Sequence, residues 1–295
     1  MLRTDLLRDK RWGIVALAGA VVLLLWIWAY LPQTPLLTVT FLDVGSGDAI
    51  VIRAPGGETA LVDAGPSSLS GTDAGERVVL PYLARNGVRT LHAVVLTHPH
   101  EDHVGGMASV VVGVDVNMVI DTGAPHGSPG YVKLLETIDK KDIPYHIARR
   151  GDEIRLGEVS LRVLNPPTYR EGASLNNRSI VLKAQYGNTS FLLTGDAELE
   201  AELDMARNCP GLESNVLKVG HHGAATSTSE QFLAAVNPEI AIISVGRNSF
   251  GHPSKQTLDR LQRHGVRIYR TDKSGGITIR SDGESLRIST AKSDS

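Results

Sequence analysis

The chain has one cysteine, Cys209, in 295 residues. That excludes an internal disulfide framework and a cysteine-rich zinc module, while leaving the redox compartment open. It also lacks internal repeats and low-complexity segments, which excludes a repeat architecture. Nor does one charge dominate: 30 Lys and Arg stand against 32 Asp and Glu, with 42% apolar residues, an ordinary globular balance. A length of 295 residues allows one large domain or two small ones.

Long hydrophobic runs are scarce too, with one exception. Trp12 to Leu31 is 20 residues without a charge, enough to cross a hydrocarbon core of about 30 Å. Trp12, Trp26, Trp28 and Tyr30 stand near its ends, as interfacial anchors do, and Arg3, Arg8, Lys10 and Arg11 precede it. The expectation is a cytoplasmic N-terminus (1–11), a single-pass transmembrane anchor (12–31), a linker (32–37) and an extracytoplasmic domain (38–295). A cleaved signal peptide is the competing reading, but its apolar core is usually about 7–15 residues and Trp28-Ala29-Tyr30 is a poor cleavage signature.

Charge is unevenly spread. The first 11 residues hold four basic and two acidic groups, leaving 26 basic against 30 acidic, net −4, for the remainder. Within that, Arg247 to Lys292 carries ten basic and four acidic residues, net +6. Such a block is compatible with a polyanionic substrate without requiring one.

Apolar runs bounded by turn residues predict strands over Leu36–Leu42, Ala49–Arg53, Thr59–Val62, Leu91–Leu96 and Val116–Ile120. Helix-like stretches are Glu76–Arg85, Val104–Val112 and Gly130–Lys141. Further strands follow at Val159–Leu164, Ser179–Ala184, Ser190–Leu193, Val216–Val219 and Glu239–Ser244, interleaved with helices at Glu198–Arg207, Glu230–Val236 and Ser254–His264. Two short strands close the chain. Strands first, then alternation, then a partial repeat of that pattern suggest two sheets with helices outside them in one domain.

The chemistry concentrates in Thr97-His98-Pro99-His100-Glu101-Asp102-His103, directly after an apolar run. Buried without partners, such groups would be costly; around divalent cations they become ligands. Pro99 biases His98 toward extended backbone, where residues two apart point the same way. His98 and His100 can therefore reach one cation, and Asp102 and His103 a second beside it. Asp196, after Leu192-Leu193-Thr194-Gly195, could bridge both, or simply cap the helix that follows. One of His221 and His222, after Leu217-Lys218-Val219-Gly220, is expected to be a ligand, and Asp63 could hold a ligand histidine from behind. His252 either starts a helix or lies over the substrate. His92, His126, His146 and His264 have no companion ligands nearby and are read as structural or surface residues.

The cluster resembles the His-x-His-x-Asp-His signature of the metallo-β-lactamase superfamily. The wider set is similar to the metallo-β-lactamase domain of ComEC-type competence DNA-uptake proteins: Phe41-Leu42-Asp43-Val44-Gly45, Gly47-Asp48-Ala49, Asp63-Ala64-Gly65, Asn176-Asn177-Arg178-Ser179, Leu193-Thr194-Gly195-Asp196, Lys218 to Gly223 and Gly251-His252-Pro253. The likeness covers about Thr38 to Ile288. It implies an α/β (α+β) fold, an αββα sandwich, with two divalent ions, zinc or else manganese. His98 and His100 would hold the first ion, Asp102 and His103 the second, and Asp196 would lie between. His221 would complete the second site, with His222 its rival.

Many members place a further histidine on the first ion. None stands near Asn176-Asn177-Arg178-Ser179, so that ion is expected to be ligand-poor and labile, with Asn177 or Ser179 close by. Ser46 and Ala224 stand where this branch usually has Gln and Ser. The reading that follows is a membrane-anchored, metal-dependent hydrolase outside the cytoplasm. Its expected activity is that of a phosphodiesterase or nuclease related to DNA uptake, acting on single-stranded DNA or another phosphodiester. Asp102 would be essential, and His222 or His252 would hold a phosphoryl oxygen or protonate the leaving group. The alternatives are an acyl hydrolase of lactonase or β-lactamase type, and a non-enzymatic binding subunit of a DNA-uptake assembly.

Overall fold

The structure, a computed structural model, describes residues 12–23, 26, 36–67, 71–167 and 172–292. The chain divides into two compact units, Met1–Pro35 and Leu36–Ser295. In the first, residues 12–23 form a helix (α1) with exposed side chains. Among the described residues no helix is long and apolar enough to cross a membrane. The structure thus does not supply the transmembrane helix expected over 12–31, of which residues 24, 25 and 27–31 lie outside the described residues, as do 1–11.

The second unit is built on two large sheets. The first contains β1 (Leu37–Phe41), β2 (Ile50–Arg53), β3 (Thr59–Val62), β5 (Ala93–Val95), β7 (Val119–Asp121) and β8 (Tyr145–Ile147), with β16 (Ile277–Ser281) and β17 (Leu286–Thr290) added beside β1. Its order is β17-β16-β1-β2-β3-β5-β7-β8, antiparallel as far as β3 and parallel beyond. The second sheet runs β15 (Arg267–Arg270), β14 (Ile240–Ile243), β13 (Val216–Lys218), β12 (Thr189–Leu193), β11 (Val181–Tyr186), β10 (Val159–Asn165), β9 (Glu153–Leu156). It has the same construction, an antiparallel meander from β9 to β12 followed by parallel strands. A two-stranded pair, β4 (Thr90–Leu91) and β6 (Asp115–Val116), completes the strands.

Alternation along the meander strands explains the layering. In β1, Leu37, Val39 and Phe41 are fully buried and face Leu161, Leu182 and Phe191 of the other sheet in a shared core. The outer face of the first sheet packs under α2 (Leu80–Arg85), α4 (Met107–Gly113) and α5 (Pro129–Lys141) through Leu83, Met107, Val110, Leu134 and Ile138. The outer face of the second packs under α6 (Leu199–Asn208), α7 (Glu230–Val236) and α8 (Lys255–Arg263) through Met205, Phe232, Leu233 and Leu261. The αββα sandwich expected from the resemblance is therefore present.

Three local departures from the sequence reading have physical causes. The helix expected over Val104–Val112 is two pieces, α3 (Glu101–Val104) and α4. They meet at Gly105-Gly106, where a Cβ would lie 1.9 Å from Ser67 N and 2.3 Å from Ala64 O, respectively. Only glycine lets the backbones approach so closely. Strands β8 and β9 were not expected, because Tyr145, His146 and Ile147 are all exposed and edge strands carry weak alternation. Three strands rather than two close the chain, since β15 joins the second sheet before β16 and β17 return to the first.

Candidate metal centre

In each sheet the parallel strands end on the same rim, and the polar groups stand just past their carboxyl ends, the usual ligand edge of parallel sheets. Asp63 follows β3, His98 and His100 follow β5, Asp196 follows β12, His221 and His222 follow β13, and His252 lies in the segment after β14. Asp102 and His103 sit on α3. Asp48, from the turn between β1 and β2, reaches the same place. Gly47 makes this possible: its φ is +129°, and a Cβ there would lie 2.1 Å from Asp102 O.

Asp196 Oδ2 is the hub. His103 Nε2 lies 3.3 Å from it, His222 Nε2 3.6 Å, and His98 Nε2 and His221 Nε2 3.8 Å each. Asp102 Oδ2 is 3.2 Å from His222 Nε2 and 3.8 Å from His103 Nε2. On the other flank His98 Nε2 and His100 Nδ1 are 2.9 Å apart. Each imidazole is aimed by its other nitrogen or its neighbours. His103 Nδ1 donates to Asp63 Oδ2 at 2.8 Å, His222 Nδ1 donates to Ser244 O at 2.9 Å, and His221 Nδ1 donates to Glu198 Oε1 at 3.1 Å. His98 Nδ1 donates to Thr97 Oγ1 at 3.1 Å, and the Thr97 hydroxyl donates to Asp63 at 2.7 Å. Anchoring Nδ1 leaves Nε2 to face a common centre, the arrangement that orients metal-ligating histidines.

Burial makes this set of groups hard to explain without a cation. His98 and His103 are 0% exposed and Asp196 2%. His103 Nε2 and Asp196 Oδ1 are buried with no hydrogen-bond partner. Ligand atoms of Asp102, His103, Asp196 and His222 all lie within 4.8 Å of one another. A mixed imidazole and carboxylate donor set of this kind suits zinc or manganese, so the residues fit a dinuclear site.

Electrostatics agree. Burial would lift the Asp196 carboxyl, but His103, His222 and His98 hold it well below the usual carboxylate range. Burial also opposes the shift of Asp102, whose carboxyl His103 and His222 hold low. Burial would lower His103, yet Asp196, Asp102 and Asp63 outweigh it and raise its pKa well above that of a free imidazole. His98 goes the other way: burial and the neighbouring His103 and His100 keep it neutral. These are opposite answers to one crowd of charges.

The geometry sorts the expected residues. His98, His100, Asp102, His103 and Asp196 converge as anticipated. The expected order of the histidine pair is reversed: His222, not His221, shares the tight group with Asp102, His103 and Asp196. Both residues have left-handed backbone, with φ of +46° and +53°, so their side chains diverge and His221 swings toward Glu198 and Asn176. His222 sits within that group, 4% exposed, and both it and the half-buried His252 line the cavity. Burial, with His221 and His222 nearby, lowers the His252 pKa.

Asp196 is not a helix cap. Asn177 Oδ1 takes that role for α6, accepting from Glu198 N at 3.2 Å and Ala201 N at 3.3 Å, which directs its side chain away from the centre. Ser179 does lie close, its Oγ 3.4 Å from His98 Nδ1 and accepting from Asp196 N at 3.2 Å. Ser46 and Ala224, the two departures from the branch pattern, separate as well: Ser46 lines the cavity and Ala224 is buried.

Two contributors were not singled out from the sequence. Lys218, 0% exposed, sits beneath the centre with Nζ 2.5 Å from Asp48 Oδ2, 3.1 Å from Gly195 O and 4.0 Å from Asp196 Oδ1. Asp48 Oδ1 in turn lies 3.8 Å from His222 Nδ1. The signal was a lysine inside the apolar run Val216-Leu217-Lys218-Val219, where a charge needs a buried partner. Glu101, within the signature, accepts from Gly130 N at 2.8 Å and fastens the start of α5.

The comparisons accord with this geometry. The family model for the metallo-β-lactamase superfamily matches residues 42–247. ComE operon protein 3 of Bacillus subtilis is 33% identical over 254 residues, 82% of this chain and 33% of that protein. Competence protein ComA of Neisseria gonorrhoeae is 31% identical over 91% of this chain and 35% of its own length. The chain thus spans about a third of the length of these curated relatives. Among solved structures, the metallo-β-lactamase fold protein YhfI from Bacillus subtilis superposes with a TM-score of 0.55 at 11% identity, covering 83% of this chain and all of YhfI, a likeness of fold alone. The chain belongs to the metallo-β-lactamase superfamily and carries its metal-dependent hydrolase fold, and its similarity to the competence proteins extends over most of this chain.

Proposed function

We propose that the chain is a metal-dependent phosphodiesterase whose substrate is nucleic acid, single-stranded DNA foremost. The observation that carries the proposal is the convergence of four imidazole Nε2 atoms on one buried carboxylate oxygen, Asp196 Oδ2. His98 and His100 would hold one ion, Asp102, His103 and His222 the other, with Asp196 between them. His221, its Nε2 3.8 Å from Asp196 Oδ2, would serve the first ion in place of the histidine that the Asn176–Ser179 segment lacks. When bound, such an ion pair supplies an activated water near neutral pH and neutralises charge on a phosphoryl oxygen. The protein's own part is to fix the imidazoles through Asp63, Ser244 and Glu198, and to present His252 as a neutral donor to a substrate oxygen. The relation to competence proteins and the basic segment Arg247–Lys292 support a DNA substrate.

The same reading places the domain outside the cytoplasm, anchored by the apolar run 12–31 with its flanking arginines inside. Protease protection in membrane vesicles tests that arrangement.

The activity is tested with zinc- or manganese-loaded protein on a panel of single-stranded DNA, bis(p-nitrophenyl) phosphate, a lactone and a chromogenic β-lactam. Phosphodiester turnover that disappears in Asp102→Ala, with folding intact, is the expected result. Lactone or lactam turnover without phosphodiester turnover would transfer the site to acyl hydrolysis. Purified protein that never retains near-stoichiometric metal would leave only a binding role.

A further inference from the structure

The cavity over the centre, about 440 Å³, has two unlike walls. One is polar and belongs to the ligand groups: His100, Asp102, Asp196 and His222. The other is the segment after β14, and its outermost member is Phe250. The chain has four phenylalanines. Phe41, Phe191 and Phe232 lie fully within the cores, while Phe250 is 78% exposed at the cavity mouth.

This exposure is built rather than incidental to a loose loop. Asn248 ties the segment at four points, donating to Gly246 O at 2.9 Å and His252 O at 2.8 Å, and accepting from Phe250 N at 3.1 Å and His252 N at 3.0 Å. The ring is therefore displayed on a braced turn. Behind it stand further rings in sequence. The centroids of Phe250 and His252 are 5.9 Å apart with planes inclined by 32°, and His252 and His221 are 5.3 Å apart. The second pair meets edge-on, its planes inclined by 73°, so the rings lead from solvent to the cluster without forming a continuous stack.

A ligand matching both walls has a flat apolar face at one end and an anionic group at the other. A nucleotide unit in a single strand has this shape, and its base is free to stack because it is not paired. Exposed Arg247 lies on the same segment, three residues before Phe250. We propose that Phe250, backed by His252, is a stacking platform for one base of a single-stranded nucleic acid, which seats the adjoining phosphodiester at the metal centre. This rests on the phosphodiesterase reading above.

The test compares two fluorescein-labelled oligomers of equal length on the metal-loaded full chain: oligothymidylate and a wholly abasic phosphodiester. Wild type should prefer the base-bearing oligomer in kcat/KM. Phe250→Ala should reduce that preference at least fivefold, chiefly through KM, and Phe250→Tyr should restore it, in keeping with the energy of base–aromatic stacking. In Phe250→Trp, oligothymidylate should quench the indole fluorescence and the abasic oligomer should not, a readout independent of turnover. An unchanged preference in Phe250→Ala together with no quenching overturns the platform while the phosphodiesterase reading survives. Quenching without hydrolysis of either oligomer upholds the platform and sinks the hydrolytic reading instead.

Discussion

Asp63→Asn is the sharpest test of how the centre is held. Asp63 is 0% exposed, with left-handed backbone at φ +58°. Its carboxylate accepts from Thr97 N at 2.8 Å, from the Thr97 hydroxyl at 2.7 Å and from His103 Nδ1 at 2.8 Å. It touches no other group that we assign to the cations, so any effect on metal must pass through His103 or, by way of Thr97, through His98. Asparagine keeps the shape and tolerates positive φ, but its amide has one acceptor where the carboxylate has two. One of the three donors must then face an NH2 group. Loss of a carboxylate behind a ligating histidine typically lowers metal affinity about 10- to 100-fold, equivalent to about 1.4–2.7 kcal/mol.

Asp63→Ala removes every acceptor at once. Three buried donors, Thr97 N, the Thr97 hydroxyl and His103 Nδ1, then remain unsatisfied at about 1–3 kcal/mol each. Against a total stability of about 5–15 kcal/mol, that loss of roughly 3–9 kcal/mol, from the same three unpaired donors, puts the alanine variant near unfolding and makes asparagine the informative change. Competition with a chromophoric chelator gives the affinity, and urea unfolding of the metal-free protein gives the stability. An Asp63→Asn protein that is folded and binds both ions as tightly as wild type would refute the claim that Asp63 orients a ligand.

The remaining predictions concern the neighbouring groups. His222→Ala should abolish the second ion by metal analysis, whereas His221→Ala should weaken the first about tenfold or more while leaving the second in place; the opposite pattern would restore His221 to the second site. Lys218→Met should destabilise the protein by about 3–5 kcal/mol in urea unfolding, because it leaves Asp48 buried and unpaired, and Asp48→Asn in the same chain should recover part of the loss; an unaffected single variant would contradict a buried ion pair. In the metal-free protein His103 is raised well above 6.5, chiefly by three carboxylates acting against burial. Its stabilising contribution is therefore complete below about pH 6.5 and is lost as pH rises through the raised value. A cation must displace that proton, so affinity should rise by up to about tenfold per pH unit near neutrality, with proton release in calorimetry across buffers; pH-independent binding would contradict it.

The residues that gather at the centre were legible in the sequence for a simple reason. A polar residue directly after an apolar run lies at a strand end, and parallel strands send their ends to one rim. His98, His100 and Asp196 needed no more than this, whereas Asp102 and His103 stand on the short helix α3 that follows. What was not legible depends on contacts distant in sequence. Nothing in His221-His222 indicates which ring turns inward, since two consecutive left-handed residues decide it. The alternative reading of Asp196 as a helix cap could be dismissed only because Asn177, 21 residues before Glu198, supplies that cap. The break at Gly105-Gly106 answers to Ala64 and Ser67, on a separate strand-end turn.

The division has a physical basis that extends to the site as a whole. Metal ligands are restricted to a few residue types, so they stand out wherever they occur. The groups that aim them need only an acceptor, and this chain uses a carboxylate for His103, a backbone carbonyl for His222, a hydroxyl for His98 and a surface glutamate for His221. Three of those four are commonplace residues or backbone. The buried carboxylates carry the greater electrostatic weight, because they lie where water cannot screen them, and the half-exposed Glu198 carries less. That gradient implies an order of lability: the ion served by His103 and His222 should survive dialysis against a chelator longer than the ion served by His221. Simultaneous loss of both would mean that Asp196 couples the two sites more strongly than their separate supports distinguish them.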